Sequence, residues 1–225
     1  MPTSVSPITF RMPLGLGAVN GYLLRAGDRF TLVDTGAPNA RRRLQMTLED
    51  FGCLPGNLRL IVLTHGDFDH IGNAAYLRRA FGAPVGMHAE DAPMAERGDM
   101  FVNRKKPNAL LRVLIPRLIG FNKARRFVPD VLLSEGDSLA GYGLDARVVA
   151  IPGHSKGSIG ILTDEGDLLC GDLYESIKRP ALNSLMDDLP AGRASDARVR
   201  SMGIRIVYPG HGAPFSPDQL AGTAI

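Results

Sequence analysis

The sequence predicts an α/β fold in which short strands alternate with amphipathic helices. Three observations carry that reading. Apolar runs rich in Val, Ile and Leu recur along the 225 residues and are short enough to be strands rather than helices. Between some of them lie segments whose apolar residues recur with a period near 3.6. The 26 glycines and 16 prolines supply frequent turns between the two. Strand, polar loop, helix, strand is the rhythm of α/β proteins.

The elements follow in order. Residues 21–36, GYLLRAGDRFTLVDTG, predict a hairpin, with Tyr22-Leu23-Leu24 and Phe30 to Val33 joined at Ala26-Gly27-Asp28. Pro38 then opens a helix with Ala40, Leu44, Leu48 and Phe51 on one face and Gly52 as its stop. Residues 59–63 are a buried strand, 72–81 a second helix, and Pro84 to His88 another strand. The segment at about 92–128 changes character and reads as a helical insert broken by Pro107 and Pro116. Strands resume at Val131 to Leu133, Ala146 to Ile151, Ile159 to Thr163 and Leu168 to Gly171. A polar, helix-prone insert covers about 174–200, and Ile204 to Tyr208 is the last strand. No linker interrupts this pattern, so residues 1–225 read as a single domain.

Composition narrows the function classes. Hydrophobic residues make up 44% and charged residues 22%, as in an ordinary globular chain. The net charge is +3, and the basic runs Arg41-Arg42-Arg43 and Arg104-Lys105-Lys106 are mixed with acids. With no aromatic interleave they read as solvated faces, so no nucleic-acid partner is expected. The most apolar stretch, 109–121, is too short for a membrane span and carries Arg112, Pro116 and Arg117, so no membrane partner is expected either. The first residues lack a basic start followed by an apolar core, so a cytoplasmic location is the expectation. Cys53 and Cys170 read as reduced thiols.

The chemistry gathers at strand ends. LTHGDFDHIGN, residues 63–73, places His65, Asp67, Asp69 and His70 directly after a buried strand. His154 in PGHSKGS, Asp172 in LLCGDLY and His211 in YPGHG also lie at strand ends or glycine turns. Loops on one edge of a sheet converge in space. Imidazole and carboxylate are ligands for zinc, iron and manganese. A lone strand-end histidine is more often a hydrogen-bonded capping residue, and a lone Asp172 would be a turn former. Unrelated local needs do not account for so many such residues together, and their number exceeds one tetrahedral site, so two metals are expected.

THGDFDHIGN, PGHSKGS, GDLY and PGHG, in that order, resemble the metallo-β-lactamase fold superfamily of metal-dependent hydrolases, and VNGYLL and LVDTG resemble its opening strands. The resemblance implies a four-layer αββα sandwich of two mixed β-sheets with helices on the outer faces. It places His65 and His154 on one metal, Asp69, His70 and His211 on the other, and Asp172 between them. It makes Asp34 the aspartate that steadies the His-rich loop. The family's usual motif is His-x-His-x-Asp-His, so Asp67 stands where a second histidine is expected. Read as a ligand, Asp67 adds charge and hardness, which admits iron or manganese beside the zinc that is the first expectation. Asp67→His is then expected to be tolerated.

The implied activity is hydrolysis of a small-molecule ester, thioester or lactone, of the glyoxalase II or lactonase kind. Two divalent cations lower the pKa of a shared water from about 16 to roughly 7, giving a bridging hydroxide, and Asp69 orients it as the catalytic carboxylate. Two alternatives remain open: a diiron oxidoreductase working with a partner electron donor, and a non-catalytic metal-binding sensor. The insert, with Met94, Met100, Phe101, Leu110, Leu111, Leu114, Leu118, Ile119 and Phe121, reads as an apolar lid, as core, or as the contact surface of a homodimer.

Overall fold

The computed structural model describes residues 3–12, 17–102, 104 and 123–220. Two mixed sheets face each other. The first runs β1 (Ser4–Arg11), β2 (Ala18–Ala26), β3 (Arg29–Val33), β4 (Leu58–Val62), β5 (Val85–Met87) and β6 (Val131–Leu132), side by side in chain order. Its first three strands are antiparallel, and β3 to β6 are parallel. The second sheet has β7 (Ala146–Ala150), β8 (Ile159–Thr163), β9 (Asp167–Ser176) and β10 (Ala181–Leu182) antiparallel, while β11 (Ile206–Gly212) pairs parallel with β9.

The layers follow from strand periodicity, because successive side chains point to opposite faces. In β4, Ile61 enters a core shared with helices, whereas Leu60 and Val62 enter a core shared with the other sheet; Leu58, before a register shift, joins the helix side. Leu23 and Leu24 of β2 divide in the same way. In the second sheet, Val148 and Ile161 face the first sheet, while Val149, Leu162 and Leu168 face outward. The outward core of the first sheet takes Leu44 and Leu48 of α1 (Arg41–Asp50), Leu77 and Phe81 of α3 (Ala74–Phe81) and Ala92 of α4 (Ala92–Arg97). Between α1 and α3 lies the short α2 (Phe68–Ile71). The outward core of the second sheet takes Val199 of α5 (Leu189–Arg200). The result is helix, sheet, sheet, helix. Leu44 and Leu48 are fully buried, and truncating either to alanine costs about 2–5 kcal/mol.

Several details differ from the sequence expectation. β1 was not anticipated, because Pro7 and alternating polar residues mask it. It is an edge strand, where a missing N–H is tolerated. Phe51 leaves the apolar face of α1: it is the C-cap and 43% exposed. The segment from 174 is not all helix. β9 continues to Ser176 and β10 follows before α5 begins. Of the insert, α4 and the turn Lys123–Arg125 are described, and residues 103 and 105–122 lie outside the described residues. Met94 is buried and Met100 packs against the helix-side core, as the core reading expects, while Leu110, Leu111, Leu114, Leu118, Ile119 and Phe121 lie outside the described residues. Cys53 and Cys170 are both buried free thiols. Among the described residues no helix is long and apolar enough to cross a membrane.

Candidate metal centre

The candidate ligands reach one volume from both sheets. His65 follows β4, and Asp69 and His70 ride on α2 beside it. His154 sits in the turn after β7, Asp172 within β9 and His211 within β11. His65, His154 and Asp172 place one ligand atom each within 4.8 Å of one another, and so do Asp69, His70 and His211. Asp172 lies between the two groups. Its Oδ2 is 3.8 Å from His154 Nε2 and 3.4 Å from His211 Nε2, and its Oδ1 is 3.4 Å from His70 Nε2. Asp69 Oδ2 is 3.6 Å from His211 Nε2 and 3.9 Å from His70 Nε2.

Each imidazole is fixed from behind by its other nitrogen. His154 Nδ1 donates to the Leu185 carbonyl at 2.6 Å, and His211 Nδ1 to the Ala18 carbonyl at 2.7 Å. His70 Nδ1 donates to Asp34 Oδ2 at 2.8 Å. Thr64 spends its hydroxyl proton on Asp34 Oδ2 at 2.7 Å, so at the 3.0 Å contact His65 Nδ1 is the donor to Thr64 Oγ1. All four rings therefore carry the Nδ1 proton and turn Nε2 inward, the arrangement that prepares histidine to bind metal. Asp34 acts on the His-rich loop directly, since its Oδ1 also accepts the Thr64 amide at 2.9 Å. It holds a positive φ of 60°, unique among the described non-glycine residues. Such backbone strain persists where surrounding bonds enforce it.

These residues fit a cation. His65 Nε2, His70 Nε2 and Asp172 Oδ1 are buried with no hydrogen-bond partner, a costly state for polar atoms. His154 Nε2 stands 3.0 Å from Asp67 Oδ2. With the ring neutral, lone pair would face lone pair unless a positive charge sat between them. The charge balance agrees. Burial opposes a charge on His70, but Asp172, Asp34 and Asp69 outweigh it and push its pKa up to about 10. His211 is pushed up to about 9 against burial, chiefly by Asp172. Burial would raise the pKa of Asp172, yet His70, His211 and His154 hold it well below the usual carboxylate range. The cluster calls for positive charge at its centre, which bound metal cations would supply.

Asp67 is also at the site, though differently engaged. Its Oδ2 lies 3.0 Å from His154 Nε2 and 3.6 Å from His65 Nε2, on the ligand side. Its Oδ1 is paired with the guanidinium of Arg104. The Arg104 side chain is 7% exposed, donates to the His154 carbonyl at 2.9 Å and lies 2.6 Å from Asp187. A cavity of about 200 Å³ flanks this turn, lined by Arg104, Gly153, Ser155, Lys156, Asp187 and Ala191 among others. Four supporting residues escaped sequence reasoning: Thr64, Arg104, Asn73, whose Nδ2 donates to the carbonyls of Thr35 and Ala37, and Asp91, whose carboxylate accepts from the Gly66 and Gly157 amides. Thr64 and Asn73 lie inside the quoted motif and could have been asked for a role. Asp91 carried no local signal, and Arg104 stood in a basic run that reads as a solvated face, whereas its side chain is buried against Asp67 and Asp187.

The metallo-beta-lactamase superfamily model matches residues 14–211. The chain belongs to that superfamily. A hydroxyacylglutathione hydrolase of Anaeromyxobacter dehalogenans is 34% identical over 151 residues, which is 67% of this chain and 44% of that protein. The uncharacterized protein YobT of Bacillus subtilis is 27% identical, with 70% of this chain and 62% of that protein aligned. The human metallo-beta-lactamase domain-containing protein 1 is 28% identical, with 90% and 65% aligned. The chain thus spans 44–62% of the first two of these relatives. Among solved structures, TTHA1623 in a di-iron-bound form superposes with a TM-score of 0.73 at 28% identity, covering 95% of this chain and 96% of that one. The B3 metallo-beta-lactamase BLEG-1 gives 0.72 at 26% identity, covering 96% and 95%. These likenesses agree with the helix, sheet, sheet, helix layering.

Proposed function

We propose that this superfamily member is a dinuclear metal hydrolase that cleaves a small-molecule ester, thioester or lactone. The observation that carries the reading is the pair of donor groups sharing Asp172, with inward Nε2 atoms left unpartnered in a buried pocket. Two divalent ions at such a site supply Lewis acidity and a water acidified to near-neutral pKa. The chain's own residues do the rest. His65, His154, His70 and His211 present lone pairs whose direction is fixed by their Nδ1 bonds. Asp172 joins the two groups. Asp69 is 18% exposed on its side chain, so it is the carboxylate placed to orient an incoming water and take up its proton. No serine or cysteine nucleophile is required: Cys170 is buried, and burial holds its thiol well above the ordinary range.

The acyl substrate class is supported by hydroxyacylglutathione hydrolases among the relatives, at 34% and 30% identity. Zinc is the proposed metal. Iron is the second reading, favoured by the di-iron-bound form of TTHA1623. The test is elemental analysis of protein purified without added metal, beside a panel of thioesters, lactones and phosphodiesters. Two metals per chain with acyl turnover is the expected result. His70→Ala and Asp172→Ala should lose metal and turnover together. Wild-type metal content in both variants would overturn the assignment, and bound iron with oxygen turnover would favour an oxidoreductase.

A further inference from the structure

The departure at Asp67 has a partner in the structure. In a His-x-His-x-Asp-His sequence the side chain at this position would be neutral. Here it is a carboxylate beside His154 and His65 in a pocket that already holds Asp172, and an added negative charge in a buried cluster needs compensation. Arg104 supplies it. The guanidinium pairs with Asp67 Oδ1, donates to the backbone carbonyl of His154 at 2.9 Å, and lies beside Asp187 at 2.6 Å. Asp67 Oδ2 is thereby turned toward His154 and His65, at 3.0 and 3.6 Å from their Nε2 atoms. Arg104 lies in the segment between α4 and the turn Lys123–Arg125, far in sequence from the motif that it completes.

Resting on the dinuclear reading above, we infer that Asp67 and Arg104 together replace the absent histidine: Asp67 binds the first metal through Oδ2 while Arg104 neutralises and orients it through Oδ1. Arg104 cancels the charge that Asp67 adds, while the second acid on the guanidinium, Asp187, is 32% exposed and lines the flanking cavity, so on the ligand side the site keeps the charge of a three-histidine site. Arg104 is a positioning residue, acting through Asp67. It follows that restoring the usual histidine alone is harmful, contrary to what the motif suggests. Asp67→His would leave a buried guanidinium with no carboxylate between it and a divalent cation. Removing the guanidinium at the same time lifts that repulsion.

The test is a double-mutant cycle read by metal binding. Wild type, Asp67→His, Arg104→Gln and the double variant are stripped with chelator. Each is then titrated with Zn²⁺ against a chromogenic competitor, with metal per chain measured by elemental analysis and folding checked by circular dichroism. The wild type should hold two ions per chain. Each single variant should bind the first ion about 10–100-fold more weakly, the usual loss when a partner behind a metal ligand is removed. The double variant should recover to within about threefold of wild type. A merely structural Arg104 predicts the opposite, with losses that add. Two tightly held ions in Asp67→His, or a double variant no better than the singles, would overturn the inference and leave the dinuclear reading standing. A wild type that holds no metal would overturn both.

Discussion

Asp91 is fully buried and joins two loops that carry ligands. Its Oδ2 accepts from the Gly66 amide at 3.0 Å and the Ser155 hydroxyl at 2.6 Å, and its Oδ1 accepts from the Gly157 amide at 2.9 Å. Gly66 follows His65, and Ser155 follows His154, so one carboxylate sets the spacing of both first-site histidines. Asp91→Asn keeps the size but turns an NH₂ toward at least one of these donors. That mismatch costs about 1–3 kcal/mol, and the variant should melt earlier and bind the first ion more weakly than the second. An unchanged melting temperature and Zn²⁺ titration would remove Asp91 from the site's support. At this scale the candidate ligands were legible in the sequence, because histidines and aspartates at strand ends are rare enough to notice. Asp91 and Arg104 were not, since each acts through partners more than ten residues away that no local pattern links to it.

The elements that meet at the centre approach more closely than a Cβ allows. Gly171 in β9 has φ of +50°, and a Cβ there would lie 2.4 Å from Thr64 Oγ1. Thr64 is the residue that holds both Asp34 and His65. Gly210 in β11 is tighter still: its Cβ would lie 2.1 Å from Asp172 Oδ1. The pairing of β11 with β9 shifts register at Pro209, beside these contacts, and that irregularity aims Asp172 and His211 at one point. Gly171→Ala should therefore destabilise the fold by roughly 1–3 kcal/mol through overpacking and lower metal content in parallel, as read by denaturant unfolding and elemental analysis. Full metal occupancy in a Gly171→Ala protein would show that the Thr64 contact is slack. The strands of the second half were legible from apolar runs, but PGHG, which reads as a turn after a strand ending at Tyr208, lies within β11, and only its histidine was legible there. Its glycine's reason was not, because close approach of two strands is a tertiary fact. β1 was missed for a related cause: its pairing with β2, not its own sequence, makes it a strand.

Across the whole molecule, the first sheet's loops supply His65, Asp69 and His70, and the second sheet supplies Asp172 and His211, with His154 at the end of β7. A metal pair at this seam would tie the two sheets together, so binding to the folded state alone stabilises it by mass action. A free ion at a thousand times its Kd adds about 4 kcal/mol, which for a chain of this size is roughly 8–16 °C in melting temperature. Chelated protein should melt lower by that order and recover on adding Zn²⁺. The chelated form also has its own pH dependence. His70 and His211, pushed up to about 10 and about 9 by the surrounding carboxylates, carry protons that stand in for the missing cations. Their folded values exceed the unfolded value of about 6.5, so the folded state binds more protons and this stabilisation is complete below about pH 6.5. It fades as pH rises through 9 to 10. The same attraction appears as the lowered pKa of Asp172 and is counted once. Melting curves of chelated protein should therefore fall steadily between pH 7 and 10, while the metal-loaded protein, whose imidazoles are held neutral by ions on Nε2, should show a much flatter profile. Parallel curves for the two forms would mean that the histidines and carboxylates are not exchanging protons for metal at a shared centre.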